Sequence, residues 1–181
     1  LADRVATTRV ALVGWSYGGT LALLTAARRP SVRAVVAGAP VADWVTAFGA
    51  VSWPWVTRHY FPCAPWEDTR PYDAASPVRH LHALRAPTLF LHGEADALVP
   101  DSHPRLLHRL LQARGVPSDL RFFPGEGHVF GAPWAVQELL VRMTAWLRPA
   151  FRPNGRLPTC KPPLREAPDH TPRRPPPLAT A

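Results

Sequence analysis

Arg9-Val10-Ala11-Leu12-Val13-Gly14-Trp15-Ser16-Tyr17-Gly18-Gly19-Thr20-Leu21-Ala22-Leu23-Leu24-Thr25-Ala26-Ala27 is the stretch that decides the fold. An apolar run meets a glycine-rich turn and then a run of Leu and Ala, which reads as strand, tight turn, helix. A serine in the middle of that turn stands clear of both elements. The start of the helix places positive dipole and unpaired N–H groups beside it, where an anion would be favoured. Ser16 is therefore the candidate nucleophile, and the Tyr17 backbone N–H a candidate oxyanion donor. The glycines have a steric reason: strand and helix start come close, and side chains at Gly14 and Gly18 would collide with the backbone.

Outward from this stretch the alternation continues. Arg28-Arg29-Pro30-Ser31 ends the helix, with basic residues at its negative end and proline as the stop. Val32 to Ala37, closed by Gly38-Ala39-Pro40, reads as a second buried strand. From Val41 to Tyr72 the pattern is irregular and aromatic, a partly helical excursion over the strand ends that fits either a substrate pocket or a satellite core under a long loop. Ser76 to Leu84 reads as a short helix, Thr88 to Leu91 as a third strand and Leu120 to Phe123 as a fourth. Between these two strands Asp101-Ser102 is expected to cap a helix whose Leu106, Leu107, Leu110 and Leu111 make a buried stripe. Trp134 to Leu147 is the last helix, with Val136, Leu139, Leu140, Met143 and Leu147 inward. Strand and helix in alternation predict an α/β fold, a parallel sheet of about four strands with flanking helices.

The chain has 181 residues, 46% hydrophobic, enough for one domain with a real core. From Arg148 onward the character changes, with prolines at 149, 153, 158, 162, 163, 168, 172 and 175 to 177 and almost no large apolar residue. Such a segment cannot bury enough surface to offset its ordering. The expected organisation is a domain over residues 1–148 and a disordered Pro/Arg-rich tail over 149–181. Pro175-Pro176-Pro177 is compatible with an SH3- or WW-type partner, although a solvated extension explains it as well.

A net charge of +8 raises the question of a nucleic-acid or membrane partner. Seven basic residues in the tail face only Glu166 and Asp169, so +5 of the +8 lies there and the folded part is mildly basic. Neither partner is expected. No apolar run approaches the roughly 20 residues of a membrane span. Cys63 and Cys160 have no metal or redox spacing, and the His80-x-His82 pair lacks acidic or cysteine companions, so no metal and no cofactor is expected.

In an open parallel sheet the ligand site lies beyond the C-terminal ends of the strands. Ser16 follows the first strand, Asp96 the third and His128 the fourth, the last in a glycine-flanked loop, Gly125-Glu126-Gly127-His128. Serine, aspartate and histidine in that chain order match the nucleophile-elbow hydrolases. Ser16 is a weak nucleophile near neutral pH; His128 would take its proton, and Asp96 would hold the imidazole in the right tautomer. Asp43, Glu94, Asp101 and Asp119 are rivals of Asp96 by residue type, but Asp43 follows the second strand, Asp101 reads as a helix cap and Asp119 precedes its strand.

The motifs Gly14-Trp15-Ser16-Tyr17-Gly18-Gly19, Gly38-Ala39-Pro40-Val41 with Asp43-Trp44, Pro65-Trp66-Glu67, Ser76-Pro77, His92-Gly93-Glu94-Ala95-Asp96 with Val99-Pro100, and Gly125-Glu126-Gly127-His128 together resemble the catalytic domain of the prolyl oligopeptidase family, acylaminoacyl-peptidase and dipeptidyl-peptidase-like members above all. The resemblance covers Asp3 to about Leu147 and implies the C-terminal half of an α/β-hydrolase fold. It implies a serine peptidase that cleaves short or N-acylated peptides through an acyl-enzyme. It also implies that Trp55 and Tyr60, with Phe48 and Trp53, lie where the family lines its pocket for the residue before the cleaved bond. An N-terminal propeller and the first half of the hydrolase sheet, with the second oxyanion donor, are expected in the full chain. Loss of one such donor costs about 10² to 10³ in rate, so this stretch by itself is expected to be poorly soluble or inactive. A carboxylesterase-like hydrolase and an inactive remnant are the alternative readings. A cytoplasmic location is the expectation, any upstream signal peptide lying outside this sequence.

Overall fold

A computed structural model describes residues 9–50 and 59–152. Its elements run β1 (Val10–Trp15), α1 (Tyr17–Arg28), β2 (Val32–Gly38), α2 (Trp44–Ala50), α3 (Arg70–Ala75), α4 (Pro77–His80), a 3₁₀ turn (Leu81–Ala83), β3 (Thr88–Gly93), α5 (Ser102–Ala113), β4 (Ser118–Phe123) and α6 (Pro133–Phe151). The four strands form one parallel sheet in the order β1-β2-β3-β4. The expected α/β architecture is thus present, and all three residues singled out for chemistry follow the C-terminal ends of strands.

The period of two along each strand divides the core into two layers. Val35 and Ala37 of β2 and Phe90 of β3 face α1 and α5, packing with Leu23, Ala26, Leu107 and Leu111. Val36, Leu89 and Leu91 face the other way, against α6, with Phe123, Leu139, Met143 and Leu147. A third cluster, Val41, Trp44, Ala47, Tyr72 and Val99, lies under the excursion between β2 and β3. Tyr72 anchors it, fully buried, with its hydroxyl donating to the Cys63 carbonyl at 2.7 Å and its ring stacked on Phe61 at 4.0 Å.

Several local expectations are corrected. The segment read as one short helix, Ser76 to Leu84, is a single α turn followed by the 3₁₀ turn, because proline opens it and the Ser76 side chain is engaged elsewhere, accepting from Trp44 N–H and donating to Tyr72 C=O. Asp101 makes no side-chain cap; its carboxylate pairs instead with Arg105 one turn on, at 2.8 Å. Asp119 lies inside β4 rather than before it. On α5, Leu107 and Leu111 are fully buried but Leu106 is 40% exposed; on α6, Leu139, Met143 and Leu147 pack inward while Val136 and Leu140 are exposed. Helix α6 also runs past Leu147 to Phe151, with Pro149 in its last turn. No described helix is long and apolar enough to cross a membrane.

The split stripe on α5 is directly testable. Leu111→Ala is expected to destabilise the protein by about 2–5 kcal/mol, whereas Leu106→Ala should stay within about 0.5 kcal/mol of the parent, measured by urea denaturation. Equal costs would contradict the inward placement of Leu111 alone.

Candidate active site

The turn between β1 and α1 is tight for a reason visible in its backbone. Ser16 sits at φ +56° and ψ −123°, a conformation that non-glycine residues rarely adopt. Its N–H donates to Gly38 C=O at 2.8 Å, so the strained residue is tied to the end of β2. A Cβ on Gly14 would lie 2.0 Å from Gly18 O, and one on Gly19 2.8 Å from Gly38 O. Gly18 itself has open space, so the steric demand falls on Gly14 and Gly19, correcting the pair expected from the sequence. The Ser16 hydroxyl does not cap α1. Tyr17 is the first residue of that helix, where a backbone N–H has no intrahelical acceptor.

Asp96 lies in the loop after β3. Its Oδ1 accepts from the N–H groups of Leu98 and Val99, both at 2.9 Å, and its Oδ2 accepts from His128 Nδ1–H at 2.8 Å. The carboxylate is 1% exposed. Burial alone would raise its pKa, but the hydrogen bonds from His128, Val99 and Leu98 outweigh that and hold it below the ordinary carboxylate value. Because Nδ1 of His128 donates to Asp96, Nε2 carries the free lone pair. Ser16 Oγ makes no hydrogen bond to His128 among the described residues; such contacts commonly tighten only when substrate is bound.

Beneath this pair lie groups that the motifs contain but that were given no role from sequence. His92, the penultimate residue of β3, is fully buried and donates from Nε2 to Val99 C=O at 2.9 Å, with Asp96 Oδ2 3.6 Å away. It therefore closes the same loop whose N–H groups hold Asp96. Glu126, two residues before His128, is buried and accepts from the N–H groups of Gly131 and Ala132 at 2.7 and 3.1 Å, bracing the His128 loop against the start of α6. The Asp96 and His128 loops meet backbone to backbone: Ala95 N–H donates to Glu126 C=O at 2.8 Å, and a Cβ on Gly93 would sit 2.3 Å from the carbonyl oxygens of Glu126 and Gly127.

An aromatic wall adjoins the turn. Tyr17 and Tyr60 stack at 5.4 Å, and both rings contact Trp44, at 5.9 and 6.3 Å. Of the expected pocket residues, Tyr60 is in this wall. Phe48 makes its ring contacts with Trp66 and Tyr72. Trp53 and Trp55 lie outside the described residues. Trp44 belongs to the aromatic excursion that the sequence offers as a pocket or a satellite core, whereas the Tyr17 ring joins it only because the first turn of α1 faces the start of α2, which spacing does not reveal. Among the described residues there is no cluster of His, Cys, Asp and Glu that could hold a metal ion.

Residues 2–154 match the prolyl oligopeptidase family. The chain is 28% identical to the acylamino-acid-releasing enzyme of Arabidopsis thaliana over 154 residues, covering 77% of this chain and 19% of that protein. It is 32% identical to human dipeptidyl peptidase 8 over 137 residues, 72% of this chain and 14% of that one. Among solved structures, Porphyromonas gingivalis dipeptidyl peptidase 4 superposes with a TM-score of 0.71 at 26% identity, over 80% of this chain and 20% of that one. A puromycin-hydrolyzing peptidase of Mycobacterium tuberculosis gives 0.76 at 24% identity, over 86% and 24%. The chain thus spans between 14% and 24% of the length of these relatives.

Two outcomes follow from the site's geometry. Gly93→Ala is expected to destabilise the protein by about 1–3 kcal/mol through overpacking, seen as a lower urea midpoint; an unchanged midpoint would mean the two loops can separate freely. Burial lowers the pKa of His92, His103 and His108 from the ordinary 6.5. The unfolded chain then binds protons near pH 6.5 that the folded chain does not, so stability is full above that pH and falls as pH drops through it. Calorimetric melting temperatures should decline from pH 7.5 to 5.5, with a flat profile as the contrary result.

Proposed function

The chain belongs to the prolyl oligopeptidase family, and from that premise we propose that it carries the catalytic triad of a serine peptidase acting on short or N-acylated peptides. The observation that carries this reading is the 2.8 Å hydrogen bond from His128 Nδ1 to a buried, ionised Asp96 at the strand ends beside the Ser16 turn. Ser16 Oγ attacks the peptide carbonyl carbon while its proton passes to His128 Nε2. The resulting oxyanion is stabilised by the Tyr17 N–H at the positive end of α1. As the tetrahedral species collapses, the C–N bond breaks and the amine leaves with the proton from His128, giving an ester on Ser16. Water then attacks that ester, again losing its proton to His128, and the acid departs as Ser16 is restored. Asp96 stays ionised throughout and stabilises the imidazolium.

The aromatic wall of Tyr17, Trp44 and Tyr60 supports an apolar or aromatic side chain next to the cleaved bond. A second oxyanion donor and the filter on substrate size belong, in this reading, to parts of the protein outside the chain. The relatives named as acylamino-acid-releasing enzyme and dipeptidyl peptidase support amide rather than simple ester substrates.

A fluorophosphonate probe should label the full-length wild type and fail to label Ser16→Ala. On an acylated aminoacyl amide, Ser16→Ala and His128→Ala should each lower kcat by about a millionfold and Asp96→Asn by about ten thousandfold. Turnover of aryl esters with no amide cleavage would replace the peptidase reading by an esterase; an intact fold that the probe does not label would remove the catalytic reading altogether.

A further inference from the structure

The residue just before the candidate nucleophile reaches the loop of the candidate base. The Trp15 indole Nε1–H donates to the backbone carbonyl of His128 at 2.8 Å, a contact spanning 113 residues of sequence. The ring is held on two further sides. It lies against Gly38, where a Cβ would approach its six-membered ring to 1.8 Å, and it meets Phe130 edge to face with centroids 5.0 Å apart. Trp15 is register partner of Gly38, and the same Gly38 accepts the Ser16 N–H. One glycine therefore references both the serine backbone and the indole that touches His128.

We propose that Trp15 is a positioning residue that sets the distance between Ser16 and His128. The inference rests on the catalytic reading of Ser16, Asp96 and His128. Its logic is one of tethering. Asp96 fixes which nitrogen of His128 carries the proton, and Glu126 braces the far end of the loop at Gly131 and Ala132, but neither contact refers His128 to β1. The Trp15 bond does, because its donor is the last residue of β1, next to Ser16, and its acceptor is the main chain of His128 itself. The neighbouring Phe130 contact fixes the ring plane, so the N–H is aimed rather than free to swing. Without the N–H, the His128 loop keeps its aspartate partner and its brace while losing its reference to the nucleophile. An error of about 1 Å in such a placement can cost about a hundredfold in rate.

The test uses the full-length protein with Trp15→Phe and, separately, Trp15 replaced by β-(3-benzothienyl)alanine, which keeps the bicyclic shape and exchanges the N–H for sulfur. Expected for both are a 10- to 100-fold loss, by the same order-of-magnitude argument, in kcat and in the rate of fluorophosphonate inactivation, a KM within about twofold, and a retained low-field proton signal from the Asp96–His128 hydrogen bond. Leu111→Ala, a core change of larger stability cost, should leave kcat unchanged where the protein is folded, which separates positioning from mere stability. Wild-type kcat in the benzothienyl variant would overturn the inference while leaving the triad reading intact. So would a rate loss matched by Leu111→Ala at equal loss of melting temperature. A wild type that neither turns over nor labels would overturn the triad reading and this inference with it.

Discussion

Gly38, at the end of β2, is the point on which the site depends. Its carbonyl accepts the N–H of Ser16, the residue held at positive φ. Its missing side chain is the space occupied by the Trp15 ring, and its carbonyl also lies so near Gly19 that a Cβ there would come within 2.8 Å. A strained serine persists only when its surroundings over-determine it. Here the surroundings are a hydrogen bond behind it, a helix that must start at Tyr17, and close backbone contact on both sides. The strain is thus local, and the sheet that holds it is ordinary: three parallel pairings, with the near-continuous apolar runs of β2 and β3 that two covered faces require.

Much of this was legible in the sequence because the decisive signals are short-range. A strand, a glycine-rich turn and a helix within about twenty residues announce their own geometry, and Ser16, Asp96 and His128 follow strands that their apolar runs already mark. What escaped was set at longer range. The i, i+3, i+4 pattern on α5 does not distinguish Leu106 from Leu107, since the width of the buried stripe depends on how the helix is rotated against β3 and β4. On α6 Val136 and Leu140 fit the period as well as Leu139 and Met143, yet they face outward. Asp101 had the position of a cap, but Arg105 one turn on offered its carboxylate a charged partner. Gly18 illustrates the reverse case: its place in the motif suggested a steric demand that belongs to Gly19.

The exposed apolar residues have a distribution of their own. Val13 on β1 and Leu21 on α1 are 52% and 44% exposed, while Val129 and Trp66, the most exposed large apolar residues among those described, lie in loops elsewhere. β1 has β2 as its one strand partner among the described residues. An edge strand carrying apolar side chains is a surface that proteins normally cover or break with charge, and here neither charge nor proline interrupts Val10 to Trp15. At the opposite edge β4 carries Asp119 and Arg121, and Arg105 lies over the Phe122 ring at 4.0 Å. Among the described residues the two edges of the sheet are therefore chemically unlike, β4 carrying charged side chains and β1 none.

The candidate base is oriented by two kinds of contact that act on different atoms. Asp96 is buried, a condition that by itself opposes its charge, and the two N–H groups of Leu98 and Val99 that help keep it ionised come from its own loop. His92 locks that loop through Val99 C=O, while the hydrogen bond from His128 is the largest of the contacts that hold the buried carboxylate in its charged form. Its hydrogen bond to Nδ1 therefore decides the tautomer and the tilt of the imidazole, but not where the imidazole stands relative to Ser16. In the positioning proposed for Trp15 that second coordinate comes from the carbonyl of His128 under the indole, while the carbonyl of Glu126 against Ala95 and the N–H groups of Gly131 and Ala132 on Glu126 hold the rest of the loop to the end of β3 and the start of α6. Protonation state and position are thus controlled by separate groups, and a change in one can be made without the other, which is what allows their contributions to rate to be measured independently.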